Sequence, residues 1–342
     1  MSPLITVMIP CYNTGEALRE TLESVIQQSY SNWEIVAVDD ASRDNTGMIL
    51  DEYASKYPGK IRVIHNQYEN GKKTNSFNVG WTNSRGDWLV DLGHDDLLDP
   101  DFMMVCLKRL EESGADAIVP RLVHFVDSAN IPEPQSGGLK GDLTAVISGR
   151  EAVMLSLDWQ INSFCLWRGS IARSTHIDED DTPYDWGELE SRRRFMRCDK
   201  VAFSKGEYRY RYNPTSITHV AWGRNSHKRL VTNRELLSDM ITGHYPSQVI
   251  DSYRIATYRL FCASCSRFAI SKLRRTDKVA RREVGAELRE YYDDVRVLDK
   301  KVLAHLMPTL LDRIRLRFFW AVVPISFWRK FINRLFRNSS IF

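Results

Sequence analysis

Two rhythms alternate along the first part of the chain. Short apolar runs lie at Ile5 to Ile9, Ile35 to Val38, Ile61 to Ile64 and Trp88 to Leu92, with single polar interruptions tolerated. Runs of that length suit parallel strands buried on both faces of a sheet. Between the first two, Ala17, Leu18, Leu22, Val25 and Ile26 recur at helical spacing, and Thr46 to Tyr57 repeats the habit before the third. Strand, helix, strand, helix, strand predicts a right-handed, doubly wound, mostly parallel α/β sheet. From Val119 to Ser148 the pattern gives way to Pro, Gly and short polar residues, including Ile131 to Gly138, which predicts a surface loop. Arg150 to Thr218 is mixed. Beyond Leu230 the periodicity turns helical, through Tyr253, Thr257, Leu260 and Phe261 and then Val279 to Val297. The expected organisation is a sheet domain over residues 1–230, a helical region over 231–305 and a distinct tail over 306–342.

In a doubly wound sheet, ligands bind beyond the carboxyl ends of the strands, so the residues after each apolar run matter most. Here they are Pro10-Cys11-Tyr12-Asn13, Asp39-Asp40-Ala41-Ser42 and Gly93-His94-Asp95-Asp96. Paired carboxylates on such a turn suit Mg²⁺ or Mn²⁺, which take one or two protein carboxylates and fill their remaining positions with phosphate oxygens and water. The same Asp-Asp pair could instead cap a helix before Pro100.

Composition narrows the class without naming it. Hydrophobic residues make up 43% and charged residues 27%, ordinary for a globular chain, and a net charge of +3 is too small to point to nucleic acid. The six cysteines are scattered in apolar or mixed contexts, the usage of a reducing compartment. Cys262 and Cys265 form a C-x-x-C without zinc-spaced partners and read as two cysteines on one helix face. The start MSPLITVMIP has no basic leader, and Phe318 to Ile325 is far short of the ~20 residues that span a bilayer. A cytoplasmic protein is expected.

Five segments, taken in order and spacing, resemble the family 2 glycosyltransferases, a large inverting family with a GT-A fold. They are VMIPCYN (7–13), SVIQQSYSNWEIVAVDDAS (24–42), ENGKKTNSFNVGW with RGDWLV (69–90), GHDDLLDPD (93–101), and YDW (184–186) with YRYNPTSIT (210–218). The resemblance implies a nucleotide-sugar donor, with UDP favoured. Within the first segment Pro10, Tyr12 and Asn13 are implied at the donor, Tyr12 as the aromatic that packs on the base, and Asp40 as the acid that bonds nucleobase or ribose. Asp95 and Asp96 fall on the acids for the diphosphate and for an Mn²⁺ or Mg²⁺ cofactor, Asp96 foremost. Gly93 stands where the family pattern Asp-x-Asp-Asp has its first acid. Either the two remaining acids suffice, with His94 placing sugar or phosphate, or metal dependence is weakened. Phe77 occupies a position that is usually Arg; Lys72 and Lys73 could supply the charge near the diphosphate, or be a solvated pair.

Inverting displacement also needs a carboxylate to take the acceptor proton. Asp185, in Tyr184-Asp185-Trp186, matches the family's acid before Trp, ahead of its neighbours Glu188 and Glu190. Asn213 to Lys228 corresponds to a loop that closes over the donor, where His219 or Arg224 could touch the diphosphate. Trp159, Gln160, Phe164, Trp167 and Arg168 are either an acceptor wall or core.

The tail carries seven basic residues between Arg313 and Arg337, no acid, and interleaved aromatics from Phe318 to Phe336. Such a segment lies on an anionic bilayer, each cation adding about 1 kcal/mol, or packs on its own domain or on a twin subunit in a homo-oligomer. The expected partner is a polyprenyl-diphosphate-linked saccharide of bacterial surface-polysaccharide synthesis (O-antigen or capsule), met at the inner face of the cytoplasmic membrane. Two other readings are a nucleotidylyltransferase, whose Gly-rich, Arg-containing leader is absent, and an inactive sugar-nucleotide-binding scaffold.

Overall fold

In the computed structural model the described residues are 2–67, 73–126, 129–130, 137–175, 186–212, 229–254 and 256–257. The chain divides into two compact units, residues 1–182 with 186–220, and residues 183–185 with 221–342.

The first unit opens with β1 (Ile5–Cys11), α1 (Ala17–Ile26), β2 (Trp33–Asp39), α2 (Thr46–Lys56) and β3 (Ile61–His65), as its apolar rhythm predicts; α3 (Lys73–Thr82), which that rhythm does not mark, leads into the predicted β4 (Trp88–Asp91). β1 lies between β2 and β4, parallel to both, and β3 flanks β2, again in parallel. Ile5, Val7, Met8, Ile9, Ile35, Val36, Ala37 and Val38 are fully buried, as strands covered on both faces require.

The second half of the sheet is mixed. After β5 (Leu97–Leu98) and α4 (Phe102–Ser113) come β6 (Ala117–Val126), β7 (Ala129–Asn130), β8 (Val146–Ile147), α5 (Gly149–Ser156), β9 (Leu166–Arg168), α6 (Gly169–Ser174), α7 (Trp186–Met196) and β10 (Val201–Arg211). The sheet runs β3-β2-β1-β4-β9-β6-β10-β5, with β7 beside β6 and β8 beside β10. β6 and β10 are parallel, while β9 runs antiparallel between β4 and β6.

β6 corrects the surface loop expected from Val119. Pro120 misleads, because proline lacks the N–H a central strand needs. Its partner β10 breaks register between Phe203 and Glu207, opposite Pro120, so the missing donor falls at an irregularity where the ladder is already interrupted. Pro120 keeps its carbonyl engaged, accepting from Asn162 Nδ2 at 2.8 Å.

α5 begins with a side-chain N-cap: Ser148 Oγ accepts from the Glu151 N–H, three residues on, at 3.1 Å. Such a cap contributes about 1 kcal/mol. At Gly149 a side chain has no room, since a Cβ would stand 2.0 Å from the Phe195 carbonyl oxygen. That close approach lays the start of α5 on the end of α7.

In the second unit, α8 (Arg229–Thr242) begins where the helical periodicity does. Its Asn233 accepts from the Tyr253 hydroxyl at 2.9 Å and donates to Thr257 at 3.3 Å, tying it to the following helical turn. The rest of the helical region and the whole tail lie outside the described residues.

Candidate active site

Strand order reverses between β1 and β4, and beyond a reversal of this kind the loops part to leave a crevice. The β1 and β2 loops are locked together. The Asp40 N–H donates to the Cys11 carbonyl at 2.9 Å, the Asn13 N–H to Ser42 Oγ at 3.0 Å, and the Arg43 N–H to Asn13 Oδ1 at 2.8 Å. Asn13 has φ +47° and Ala41 φ +57°, the left-handed region that Asn adopts more readily than most residues. Thr14 and Gly15 both donate to the buried Thr46 Oγ1, at 2.9 and 3.1 Å.

Among the residues expected at the donor, Tyr12 is 38% exposed at this edge and Asp40 is buried, its Oδ1 accepting from Asn66 Nδ2 at 2.9 Å. Pro10 lies within β1, half-buried. The preceding acid, Asp39, accepts from the Ser42 N–H and faces His65 Nδ1 at 3.0 Å, while His65 Nε2 faces Asp51 at 3.2 Å. Burial pulls the imidazole's pKa down, but the bonds to the two carboxylates outweigh it and the net shift is upward. Lys73 opens α3, and its side chain lies outside the described residues, as does Lys72.

The β4 loop is held from two sides. Thr21 of α1 donates to the His94 carbonyl at 2.9 Å. From β10, the Tyr208 hydroxyl donates to Asp96 Oδ2 at 2.7 Å and accepts from the Gly93 N–H at 2.9 Å. The Arg211 N–H donates to Asp96 Oδ1 at 2.8 Å, and the Arg211 guanidinium reaches the Asp95 carbonyl at 2.7 Å and Glu20 at 2.6 Å. Asp96 is therefore buried with both oxygens accepting bonds from within the unit. Burial, and secondarily the neighbouring Asp95 carboxylate, push its carboxyl up to about 7 against the pull of those donors. Asp95 keeps 31% of its side chain exposed, with His94 Nδ1 3.9 Å from its Oδ1.

Gly93 explains the inward turn of Asp96. A Cβ at that position would lie 2.4 Å from Asp96 Oδ2 and 3.0 Å from its Cγ. Among the described residues no three His, Cys, Asp or Glu side chains converge as a ready-made metal site. The donor set fits a divalent ion that takes one carboxylate from the protein and completes its shell from phosphate and water.

Asp185, the expected base, lies outside the described residues and directly precedes α7 in sequence. Its two alternatives are accounted for by α7 itself. Glu190 is buried against the guanidinium of Arg194, and Glu188 is paired with Arg192. The fully buried Arg194 also donates to Asp91 Oδ2 at 2.7 Å, and its guanidinium lies 4.4 Å from the ring centre of Trp81, whose indole N–H donates to Asp91 Oδ1 at 2.8 Å. Phe77, at the position expected to be basic, packs on Trp81 with ring centres 5.5 Å apart. α7 is thus pinned to the end of β4, two residues before the Gly93 turn. Sequence reading missed Arg194, Asp91, Tyr208, Arg211 and Asn66. Asp91, an acid closing an apolar strand run, was the signal that could have drawn notice.

The five residues read as acceptor wall or core separate cleanly. Trp167 is buried against Phe195 with ring centres 4.9 Å apart, and Arg168 is bound to Asp116 at 2.8 Å. Phe164 packs on Tyr208 at 4.6 Å. Trp159 is 56% exposed beside exposed Gln160, and its φ of +61° costs a bulky L-residue about 1–2 kcal/mol.

The sequence pattern of "Glycosyl transferase family 2" matches residues 6–168. Glycosyltransferase GlyG of Streptococcus pneumoniae serotype 4 is 25% identical over 248 residues, 66% of this chain and 77% of that one. Other curated relatives match at 37–40% identity over 32–33% of this chain and 12–38% of their own lengths, so the likeness there is to a part of each protein. Among solved structures, S. aureus TarS in complex with UDP-GlcNAc superposes with a TM-score of 0.67 at 14% identity, covering 93% of this chain and 87% of that one. GalNAc-T7 with UDP, GalNAc and Mn²⁺ gives 0.51 at 16% identity, over 68% and 50%. At such identities the likeness is of fold, which is GT-A. Residues 6–168, from β1 to β9 and through the loops that hold Tyr12, Asp40 and Asp95, carry the pattern of glycosyltransferase family 2.

Proposed function

We propose that this glycosyltransferase moves a sugar, with inversion, from a UDP-sugar to a hydroxyl of a lipid-linked saccharide. One observation carries the reading: the interlocked β1 and β2 loops offer an exposed aromatic and a buried acid at the same sheet edge from which the β4 loop offers Asp95. Tyr12 stacks on the uracil and Asp40 accepts from the nucleoside, while Asn66 keeps that carboxylate in place. The UDP-GlcNAc held by TarS, a protein of this fold, supports the choice of nucleotide.

Asp95 would be the first ligand for Mn²⁺ or Mg²⁺, and Asp96 holds the loop. Bound there, such an ion would supply positive charge for the leaving diphosphate. Asp185 takes the acceptor proton as the hydroxyl attacks the anomeric carbon from the face opposite the leaving group. His94 and Lys73 lie at or beside this edge in sequence and are assigned to the sugar or phosphate. The tail over 306–342 brings the enzyme to an anionic membrane surface, where a polyprenyl-diphosphate-linked acceptor of O-antigen or capsule assembly would reside. No described helix is long and apolar enough to cross that membrane.

The test is binding first and transfer second. A thermal-shift screen of UDP-, GDP- and dTDP-sugars with Mn²⁺ should show the largest stabilisation with a UDP-sugar. Asp185→Asn should keep UDP affinity and lose transfer; near wild-type transfer would remove Asp185 as the base.

A further inference from the structure

We infer that Trp159, with its exposed neighbours Asp158 and Gln160, is the platform on which a pyranose ring of the acceptor saccharide stacks. The inference rests on the transferase reading above and names the part of the acceptor that the protein grips.

Three observations converge on this turn. Trp159 is more than half exposed, although indole is among the side chains that gain most from burial. Its backbone sits at φ +61°, a conformation that favours glycine, so the fold holds a strained tryptophan outward where a small residue would fit better. Such strain gathers at ligand sites because packing alone does not select for it. The flanking groups are polar and fixed to each other, with Gln160 Nε2 donating to both Asp158 oxygens at 3.1 and 2.9 Å. A flat apolar face rimmed by a carboxylate and an amide matches a sugar, whose ring presents C–H groups on its face and hydroxyls at its edge.

Its position links the two halves of the chemistry. The Trp159 N–H bonds the Ser156 carbonyl, which also accepts from Arg192 of α7 at 2.7 Å. Arg192 in turn binds the Glu188 carbonyl in the first turn of that helix, the helix that follows Asp185 in sequence. In the other direction Phe164 packs on Tyr208, which holds Asp96. Phe164 is five residues on from Trp159, a span of at most about 18 Å.

A membrane surface is the rival occupant for an exposed indole, and the local charge argues against it. There is no Lys or Arg between Arg150 and Arg168, and the adjacent side chain is an acid; anionic headgroups are met by cations.

The test uses ¹⁹F NMR on the full chain labelled with 5-fluorotryptophan, in the presence of UDP and Mg²⁺. The resonance of Trp159, one of nine tryptophans, is assigned as the one lost in Trp159→Phe. Chitopentaose, maltopentaose and mannopentaose are titrated separately, and so are vesicles of phosphatidylglycerol with cardiolipin. A saturable shift of the Trp159 resonance with at least one saccharide supports the inference, whether or not vesicles also act. A response to vesicles alone, or to none of these probes, overturns it. Trp159→Gly separates a binding role from a structural one: the melting temperature should stay equal or rise, because glycine accepts the positive φ, while saccharide affinity drops about tenfold. A clear fall in melting temperature with affinity unchanged would count against the inference. Calorimetry with UDP-GlcNAc on the same labelled protein reads the donor site independently, so absent donor binding would tell against the transferase reading and leave the Trp159 result to be judged by the saccharide titrations.

Discussion

A single hydrogen at residue 93 decides how the β4 loop closes. Gly93→Ala would place a methyl carbon 2.4 Å from a carboxylate oxygen anchored by Tyr208. We expect a loss of about 1–3 kcal/mol as Asp96 is pushed off its donors, read as a drop of several degrees in melting temperature together with weaker UDP binding. Restoring the family's acid with Gly93→Asp should do no better, since the Cβ meets the same oxygen. The neighbouring acids divide their labour in a way that two variants resolve. Asp95→Asn should lose the Mg²⁺-dependent part of UDP affinity by calorimetry with little change in melting temperature; Asp96→Asn should lower the melting temperature, because an amide nitrogen cannot accept from Tyr208 or Arg211. Indistinguishable profiles would contradict this division. His65 gives a pH signature. Its folded pKa is raised by Asp39 and Asp51, so the stability it adds is complete below the unfolded value of about 6.5 and fades as pH climbs through the folded value. His65→Gln should therefore flatten the fall in melting temperature between about pH 6 and pH 8, and an unaltered slope would show that the imidazole does not report on the β2–β3 edge.

At the scale of elements, α7 is fastened to β4 by one buried cation. Arg194→Met leaves Asp91 and Glu190 without their guanidinium in a buried setting, which should cost about 3–5 kcal/mol in urea unfolding. Replacing Arg194 and Glu190 together by apolar residues should recover part of that loss; no recovery would place the cost in packing against Trp81 rather than in charge. This helix also marks where reading from sequence stops. β1 to β4 were legible because buried parallel strands write themselves as apolar runs, which also put Tyr12 and Asp40 at strand ends. α7 was not, because Glu-Ser-Arg-Arg-Arg resembles a solvated face, yet Arg192 and Arg194 are buried. Only the partners reveal this, and they lie far off in sequence, Asp91 being 103 residues away. β6 was hidden by Pro120, whose tolerance depends on an irregularity in another strand. The same distance concealed Tyr208 and Arg211, which act on residues about as remote.

At the scale of the whole molecule, the membrane role proposed for the basic, aromatic tail predicts that it can be removed without loss of donor binding. Deleting residues 313–342 should release the protein from phosphatidylglycerol vesicles in a flotation assay while UDP affinity persists; continued flotation would locate the membrane contact elsewhere. The way Arg211 is used limits how this enzyme can be rebuilt. One guanidinium and its own backbone N–H hold Glu20, the Asp95 carbonyl and the Asp96 carboxylate, joining the first helix, the acidic turn and the last strand of the sheet. Residues 93–96 are therefore not a cassette that can be exchanged among relatives to alter donor choice. A transplant that leaves behind position 20, or positions 208 and 211 on β10, would carry the carboxylates without the framework that orients them, and chimeras designed on this fold should move all three segments together.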